Sequence, residues 1–361
     1  MKKNILIIDD SALMRRVLSD IINSDNRFQS TEVASNGLDA LNLMQVRGND
    51  FDAVLLDINM PRMNGIDFLA ELKAQNIKAT VIMVSTIAKK EARETIRALE
   101  LGAFDFVTKP ESYLEVKNNL FSGRILECLA AATKEKTKLK TESIEKITEF
   151  IRPIIDGAGK KRSEHPLNAE KLVAIACSTG GPKALHTVIP NLPVNLDAGV
   201  LVVQHMPGGF TKSLADRLNE LSPITVMEAE DGEILKKGRV YIAKGGHQMR
   251  LIRQGDGEYR LSVLEEPPRH GLVPCADIMY ESLADTDFDQ ITCVVLTGMG
   301  GDGTDGIIQL KKKKNTYVIA QDEETSVVYG MPKVVRDAGL TDEVVALIDV
   351  SDAIIKNVGV H

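Results

Sequence analysis

The stretch from Val173 to Leu185, VAIACSTGGPKAL, runs from apolar residues through a serine and two glycines into a helix-like start. Its reading decides the fold of the half of the chain in which it lies. A near-continuous apolar run suits a strand buried on both faces of a parallel sheet. Glycines after it allow a tight turn into a helix, or close approach of another backbone or a ligand. Ser178 then has two readings. It caps the following helix by accepting from a free N–H, or it is a nucleophile held up at the turn. Similar apolar runs recur as LVAIA (172–176), AGVLVVQ (198–204), ITCVVLTG (291–298) and YVIAQ (317–321). Together they predict a doubly wound, mostly parallel α/β domain over 170–361. Residues 238–266 alternate around glycine turns, the pattern of antiparallel hairpins.

The other half repeats the strand-then-helix pattern five times, with runs at 4–8 (NILII), 29–34 (QSTEVA), 53–56 (AVLL), 80–84 (TVIMV) and 105–108 (DFVT). Ala92, Ile96 and Leu99 fit one helix face, which Gly102 closes. Alternation of this kind predicts a flavodoxin-like (βα)5 domain over 1–121. Two domains are expected in 361 residues, since single cores rarely grow past about 250–300 residues. Between the halves, residues 122–169 are rich in lysine, glutamate and threonine, then in glycine and proline, and read as a charged linker. Within it Ile144, Ile147 and Ile151 keep a helical spacing.

The net charge of −7 gives no footprint for nucleic acid or a basic membrane-binding face. No apolar run approaches the roughly 18 residues of a membrane span, so no direct membrane insertion is expected. The apolar run at the N-terminus stops at Asp9-Asp10, too short for a secretory core. The four cysteines, at 128, 177, 275 and 293, have no C-x-x-C spacing, which argues for a reducing compartment and a cytoplasmic protein.

Asp9, Asp10 and Asp57 each follow an apolar run. The carboxyl ends of parallel strands share one edge, so the three acids should converge there. Gathered carboxylates raise one another's pKa unless a cation joins them, and Mg²⁺ is the natural occupant. Ser85 and Lys109 arrive at the same edge. A carboxylate, a hydroxyl, a lysine and a divalent ion make a phosphoryl-acceptor site with Asp57 as nucleophile. Taken singly, Asp10-Ser11 and Ser85-Thr86 are also good helix caps.

With Asp9-Asp10, Asp57 followed by INMPRMNG, Ser85, and FVTKP ending in Lys109-Pro110, the first 121 residues resemble a response-regulator receiver domain. The resemblance implies phosphorylation of Asp57 by a sensor histidine kinase. It implies Mg²⁺ held by Asp10, Asp57 and the carbonyl of Asn59, with Asp9 in the same metal cluster. Ser85 and Phe106 match the phosphate-sensing switch pair, and Lys109 the lysine that precedes a cis proline. Phe106 lacks the hydroxyl of the tyrosine that this switch can carry.

Most receiver outputs bind DNA through a small basic helical domain. The α/β domain that follows here, on an acidic chain, disfavours that. Two more of its strands end in reactive groups: VLVVQHMPGGF places His205, and CVVLTGMGGDGTDG places Asp302, at the rim shared with Ser178. Serine, histidine and acid are the constellation of acyl transfer. Thr179 in STGG and Met299 in GMGG can offer backbone N–H groups to an oxyanion. Neither G-x-G-x-x-G nor an acid after the second strand supports a dinucleotide site. Asp305 competes with Asp302, His186 with His205, and Cys177 with Ser178, while His247, in the hairpin region, reads as a loop or substrate-side contact.

Residues 170–361 are similar to the catalytic domain of chemotaxis protein-glutamate methylesterases, through STGGP, QHMPGGFT, AEDGE, VYIA, LTGMGGDG and QDEETSVVYGMP. The resemblance implies a Ser178–His205–Asp302 triad with Met299 at the oxyanion hole and no cofactor for the hydrolysis. It implies cleavage of glutamyl methyl esters, and deamidation of glutamines, on the cytoplasmic helices of membrane chemoreceptors. Control is expected to be steric, with the unphosphorylated receiver over the cleft. Thr211, Arg217 and the PGGF loop are candidate rim residues for receptor docking. Departures from the family pattern are Cys177 for alanine, PCAD (274–277) for PSVD and GDG (301–303) for NDG. A receiver-controlled scaffold, or an acyl hydrolase acting on a different protein, is the alternative.

Overall fold

A computed structural model describes residues 2–47, 50–110, 120–134, 170–255 and 257–361. The chain divides into two compact units, Met1–Lys138 and Leu139–His361.

In the first unit β1 (Lys3–Ile8), β2 (Phe28–Ala34), β3 (Ala53–Asp57), β4 (Val81–Ser85) and β5 (Asp105–Thr108) form a parallel sheet in the order β2-β1-β3-β4-β5. Helices α1 (Ala12–Ser24), α2 (Gly37–Arg47), α3 (Gly65–Ala74) and α4 (Lys89–Leu101) alternate with the strands. Ser11 caps α1 by accepting from Met14 N. Ser85 is not the cap of α4. Ala88 holds that place, while Ser85 and Thr86 turn to Glu91 in the first turn of the helix. A fifth helix, α5 (Leu120–Ala132), contributes Phe121, Ile125, Cys128 and Leu129 to the same core as Ile5, Ile7, Leu18 and Phe28. Residue 122, where the charged linker is expected to begin, thus lies inside a core helix. Ile144, Ile147 and Ile151 fall outside the described residues. The cis proline bond expected after Lys109 is absent. Among the described residues the cis bond is Val273–Pro274.

The second unit is built on β6 (Lys171–Cys177), β7 (Gly199–Gln204), β8 (Thr225–Glu228), β9 (Arg239–Ile242), β12 (Gln290–Val295), β13 (Thr316–Gln321) and β14 (Glu343–Val345). Their order is β14-β13-β12-β6-β7-β9-β8, parallel throughout. The hairpin expectation holds for β10 (Gln248–Arg253) and β11 (Tyr259–Leu264), which pair antiparallel. It fails for β9, which joins the parallel sheet beside β7. Helices α6 (Gly181–Val188), α7 (Phe210–Leu221), α8 (Ala276–Ser282), α9 (Thr304–Lys311), α10 (Met331–Asp337) and α11 (Val350–Val358) complete the unit.

Leu172, Ala174 and Ala176 of β6 enter one core cluster with Leu201 and Val203 of β7, the hairpin and α8. The intervening Val173, Ile175 and Cys177 are equally buried. Burial of alternate residues on opposite faces is what makes the run apolar without interruption. Truncating Leu201 to alanine would cost about 2–5 kcal/mol.

Both sheets change direction at one point. In the first unit the chain leaves β1 for β2 on one side and β3 on the other. In the second it leaves β6 for β7 on one side and later returns to β12 on the other. The crevice beyond the carboxyl ends at such a switch point is where open α/β sheets place ligands.

Candidate functional site

Ser178 is the first residue after β6, at the switch point. Its N–H donates to Thr297 O at 3.0 Å, across to the end of β12. Its carbonyl accepts from Gly181 N (2.7 Å) and from Gln204 Nε2 (3.0 Å). The capping reading of Ser178 fails, because the N-cap residue of α6 is Gly180 and no side chain caps it. Gly298, after β12, lets the two loops meet. A Cβ there would stand 2.8 Å from Ser178 Cβ and 2.4 Å from Met331 Sδ.

His205 follows β7, and its N–H continues the ladder to Cys177 O at 3.1 Å. That places it on the strand end next to Ser178. Its Nε2 lies 2.7 Å from Asp302 Oδ2, in a pair whose side chains are 10% and 5% exposed. A carboxylate only accepts, so the proton on this contact belongs to Nε2 and the lone pair to Nδ1.

Asp302 also accepts from Ala276 N (2.6 Å), Asp277 N (3.0 Å) and Cys275 Sγ (3.1 Å). Burial alone would raise its pKa. The hydrogen bond and charge of His205, with the N–H groups of Ala276 and Asp277, outweigh that and hold it well below the usual carboxylate range. Asp305 is exposed.

The oxyanion candidates stand on the two loops that meet at the switch point. Among the described residues, neither the Thr179 N–H nor the Met299 N–H carries a hydrogen bond. Thr297 Oγ1 donates to Thr179 O at 3.0 Å and accepts from Val328 N at 3.0 Å. Gln321 Oε1 accepts from Thr297 N at 2.8 Å. The QDEETSVVYGMP segment thereby buttresses the serine turn.

The other candidates are engaged elsewhere. Cys177 is fully buried, 3.0 Å from Gln204 Oε1, and burial pushes its thiol far above the ordinary range. It is packing, not a nucleophile. His186 Nδ1 contacts Pro182 O of its own helix at 2.7 Å. His247 contacts Gly245 O at 3.3 Å and lies 3.7 Å from Glu265. Thr211 is not a rim residue. It is fully buried, donating to Glu228 Oε1 (2.6 Å) and accepting from Gly245 N (3.0 Å). Arg217 pairs with Glu220 on its own helix.

In the first unit Asp57 ends β3, and Asp9 follows β1, its neighbour in the sheet. Lys109 Nζ lies 2.8 Å from both Asp9 Oδ2 and Asp57 Oδ1. Asp57 Oδ1 also accepts from Ile58 N at 2.8 Å. Burial pushes Asp57 up to about 6, with Lys109 pulling the other way and Asp9 adding to the rise. Burial would lower the Lys109 pKa, but Asp57 and Asp9 together raise it. Carboxylate oxygens of Asp9, Asp10 and Asp57 lie within 4.8 Å of one another, Asp10 being the exposed member. Buried oxygens so gathered, with an open side at Asp10, fit a hard divalent cation.

Ser85 is buried at the end of β4, its Oγ 3.0 Å from Thr95 Oγ1. Phe106, on β5, is buried too. Glu91 escaped the sequence reading, which saw only a helix face in its segment. It accepts from Thr86 N (2.7 Å) and from Asn59 Nδ2 (2.7 Å), tying the loops after β3 and β4 together. Those bonds outweigh burial and lower its pKa.

The two sites together have the form of a receiver-controlled hydrolase. Residues 5–120 match the model of the response regulator receiver domain, and residues 173–354 that of the CheB methylesterase. A protein-glutamate methylesterase/protein-glutamine glutaminase of Symbiobacterium thermophilum is 40% identical over 359 residues, 98% of this chain and 97% of its own. One of Bacillus subtilis is 39% identical over 353 residues, 97% of each chain. The crystal structure of the Thermotoga maritima CheB methylesterase catalytic domain covers 53% of this chain and all of its own, at 43% identity and a TM-score of 0.50. The chain belongs to the CheB methylesterase family, with a response regulator receiver domain ahead of the catalytic domain.

Proposed function

We propose that the protein hydrolyses glutamyl methyl esters on the cytoplasmic helices of membrane chemoreceptors, and deamidates glutamines there, under control of Asp57 phosphorylation. The observation that carries this is the 2.7 Å His205–Asp302 contact, on the strand end beside Ser178 at the switch point. Ser178 Oγ attacks the ester carbonyl carbon as its proton passes to His205 Nδ1, while Nε2–H stays on Asp302. The carbonyl oxygen becomes an oxyanion and accepts from the N–H groups of Thr179 and Met299. Collapse breaks the C–O bond, and the proton on Nδ1 leaves with methanol. From a glutamine the same collapse releases ammonia. Water then gives a proton to Nδ1, adds to the γ-glutamyl-serine ester, and releases glutamate and free Ser178.

In the receiver, a sensor histidine kinase donates the phosphoryl group. The phosphorus–nitrogen bond of its phosphohistidine breaks as the Asp57 oxygen bonds phosphorus. Mg²⁺, held by Asp10, Asp57 and the Asn59 carbonyl with Asp9 beside them, would neutralise charge on the transferring group. Lys109 holds the acids in place and meets the product, and Ser85 and Phe106 respond to it. Phosphorylation of Asp57 raises the rate of hydrolysis, by as much as it favours the active state over the inactive one. The four free cysteines and the proposed receptor substrate support a cytoplasmic setting. Among the described residues no helix is long and apolar enough to cross a membrane.

The test is methanol release from a methylated chemoreceptor fragment, and ammonia release from its glutamine form, with a small-molecule phosphodonor and Mg²⁺ present. Ser178→Ala should lower both by about 10⁶-fold. Release that survives this change would overturn the proposal.

A further inference from the structure

Asp302 is not held by His205 alone. It stands just ahead of α9, yet its carboxylate accepts from the N–H groups of Ala276 and Asp277, at the start of α8. Asp277, in the first turn of α8, returns the contact. Its Oδ1 accepts from Gly303 N (3.0 Å) and Gly306 N (2.7 Å), at the start of α9. Each helix opens with N–H groups that have no partner within it. Here two N–H groups at each helix start donate to the acid that belongs to the other.

We infer that this reciprocal clasp makes Asp277 a positioning residue for the hydrolysis, fixing Asp302 in register with His205. The inference rests on the serine–histidine–aspartate reading above. Asp277 is 3% exposed and touches neither Ser178 nor His205 by any hydrogen bond, so it acts only through Asp302. The two helices meet without slack at this point. A Cβ on Gly306 would lie 2.8 Å from both the Cα and the carbonyl oxygen of Asp277. Gly303 N–H is shared, 3.0 Å from Asp277 Oδ1 and 3.0 Å from Asp302 Oδ1. The segment ahead of α8 is pinned as well, with Gln248 accepting from Cys275 N (2.9 Å) and donating to Leu272 O (3.1 Å).

Two buried carboxylates this close repel each other, and the repulsion together with burial raises the pKa of Asp277. The N–H donors hold them together against that repulsion. Remove the Asp277 acceptor, and the buried Gly306 N–H loses its partner, while the Gly303 N–H keeps only its contact with Asp302. The Gly301–Gly306 segment must then shift to find water or another acceptor, taking the Asp302 carboxylate off the imidazole.

The experiment is steady-state methanol release by the full chain, with phosphodonor and Mg²⁺, comparing Asp277→Ala, Asp277→Asn and Asp302→Ala. Displacement of the order of 1 Å predicts that Asp277→Ala lowers kcat by about 100-fold with KM unchanged. Asparagine keeps an oxygen acceptor for both N–H groups, so Asp277→Asn should recover most of kcat. The low-field Nε2–H proton resonance of His205 should persist in wild type and Asp277→Asn and fade in Asp277→Ala. Wild-type kcat in Asp277→Ala overturns the inference. Should that variant fail to fold, a 100-fold loss in a folded Asp277→Asn overturns it instead. Asp302→Ala separates the two claims. If it keeps its activity, the serine–histidine–aspartate reading falls. If it loses about 10⁴-fold while Asp277→Ala loses nothing, only the clasp falls.

Discussion

The two units pose one structural problem and solve it in opposite ways. Each brings buried carboxylates to the carboxyl edge of a parallel sheet at its switch point. In the receiver, Asp57 has one backbone N–H and a lysine shared with Asp9, and burial leaves it raised to about 6. In the catalytic unit, Asp302 has two N–H groups from the next helix, a thiol and an imidazole, and is held low. The difference matches the work. On the proposed function, an acid that would take a cation and form a bond to phosphorus is left under-compensated. One that would remain a fixed anion beside an imidazole is saturated with donors.

The contrast can be broken most directly at Asp302. Asp302→Asn keeps the side-chain shape but can present an amide N–H to His205 Nε2, favouring the wrong tautomer. Methanol release should fall by about 10⁴-fold, and a loss below tenfold would mean that the fixed anion is not needed. Next in size is Gly298→Ala. Its Cβ would press on Ser178 Cβ and Met331 Sδ, so kcat should fall by about 100-fold through displacement of the nucleophile, as kinetics on the folded variant would show.

The smallest effect concerns Asp57 and is read as stability. Its folded pKa, about 6, lies above the ordinary 3.8. The stability this group contributes is therefore present below pH 3.8 and lost as pH rises through about 6. Asp57→Asn should stabilise the receiver at pH 7 by about 1–3 kcal/mol, Lys109 having already offset part of the burial. It should also flatten the melting temperature across that window. A variant less stable than wild type at pH 7 would show that Lys109 fully compensates the buried charge. Added Mg²⁺ should raise the wild-type melting temperature and leave Asp57→Asn less affected.

Most of the frame was legible because buried parallel strands write themselves as unbroken apolar runs that end in a polar residue. Asp9, Asp57, Ser178 and His205 all stand at such ends, so their convergence followed from sheet geometry alone. What was hidden depends on distant partners. VYIA reads the same whether its neighbour runs parallel or antiparallel, and pairing with β7 decided it. Helix α5 lay under a composition that looked like linker, although Phe121, Ile125 and Leu129 fill the receiver core. Thr211 looked like a polar rim residue, but Glu228, from β8, buries it. Asp277 gave no local signal, since its acceptors and donors lie 25 to 29 residues away.

Control of Ser178 in one unit by Asp57 in the other is what the proposed function requires. Its most direct test is the rate of methanol release from a methylated chemoreceptor fragment, with and without phosphodonor and Mg²⁺, for wild type and Asp57→Ala. Wild type should accelerate on addition of phosphodonor, and Asp57→Ala should hold its unstimulated rate. Equal stimulation of both proteins, or none in wild type that is otherwise active, would contradict the account.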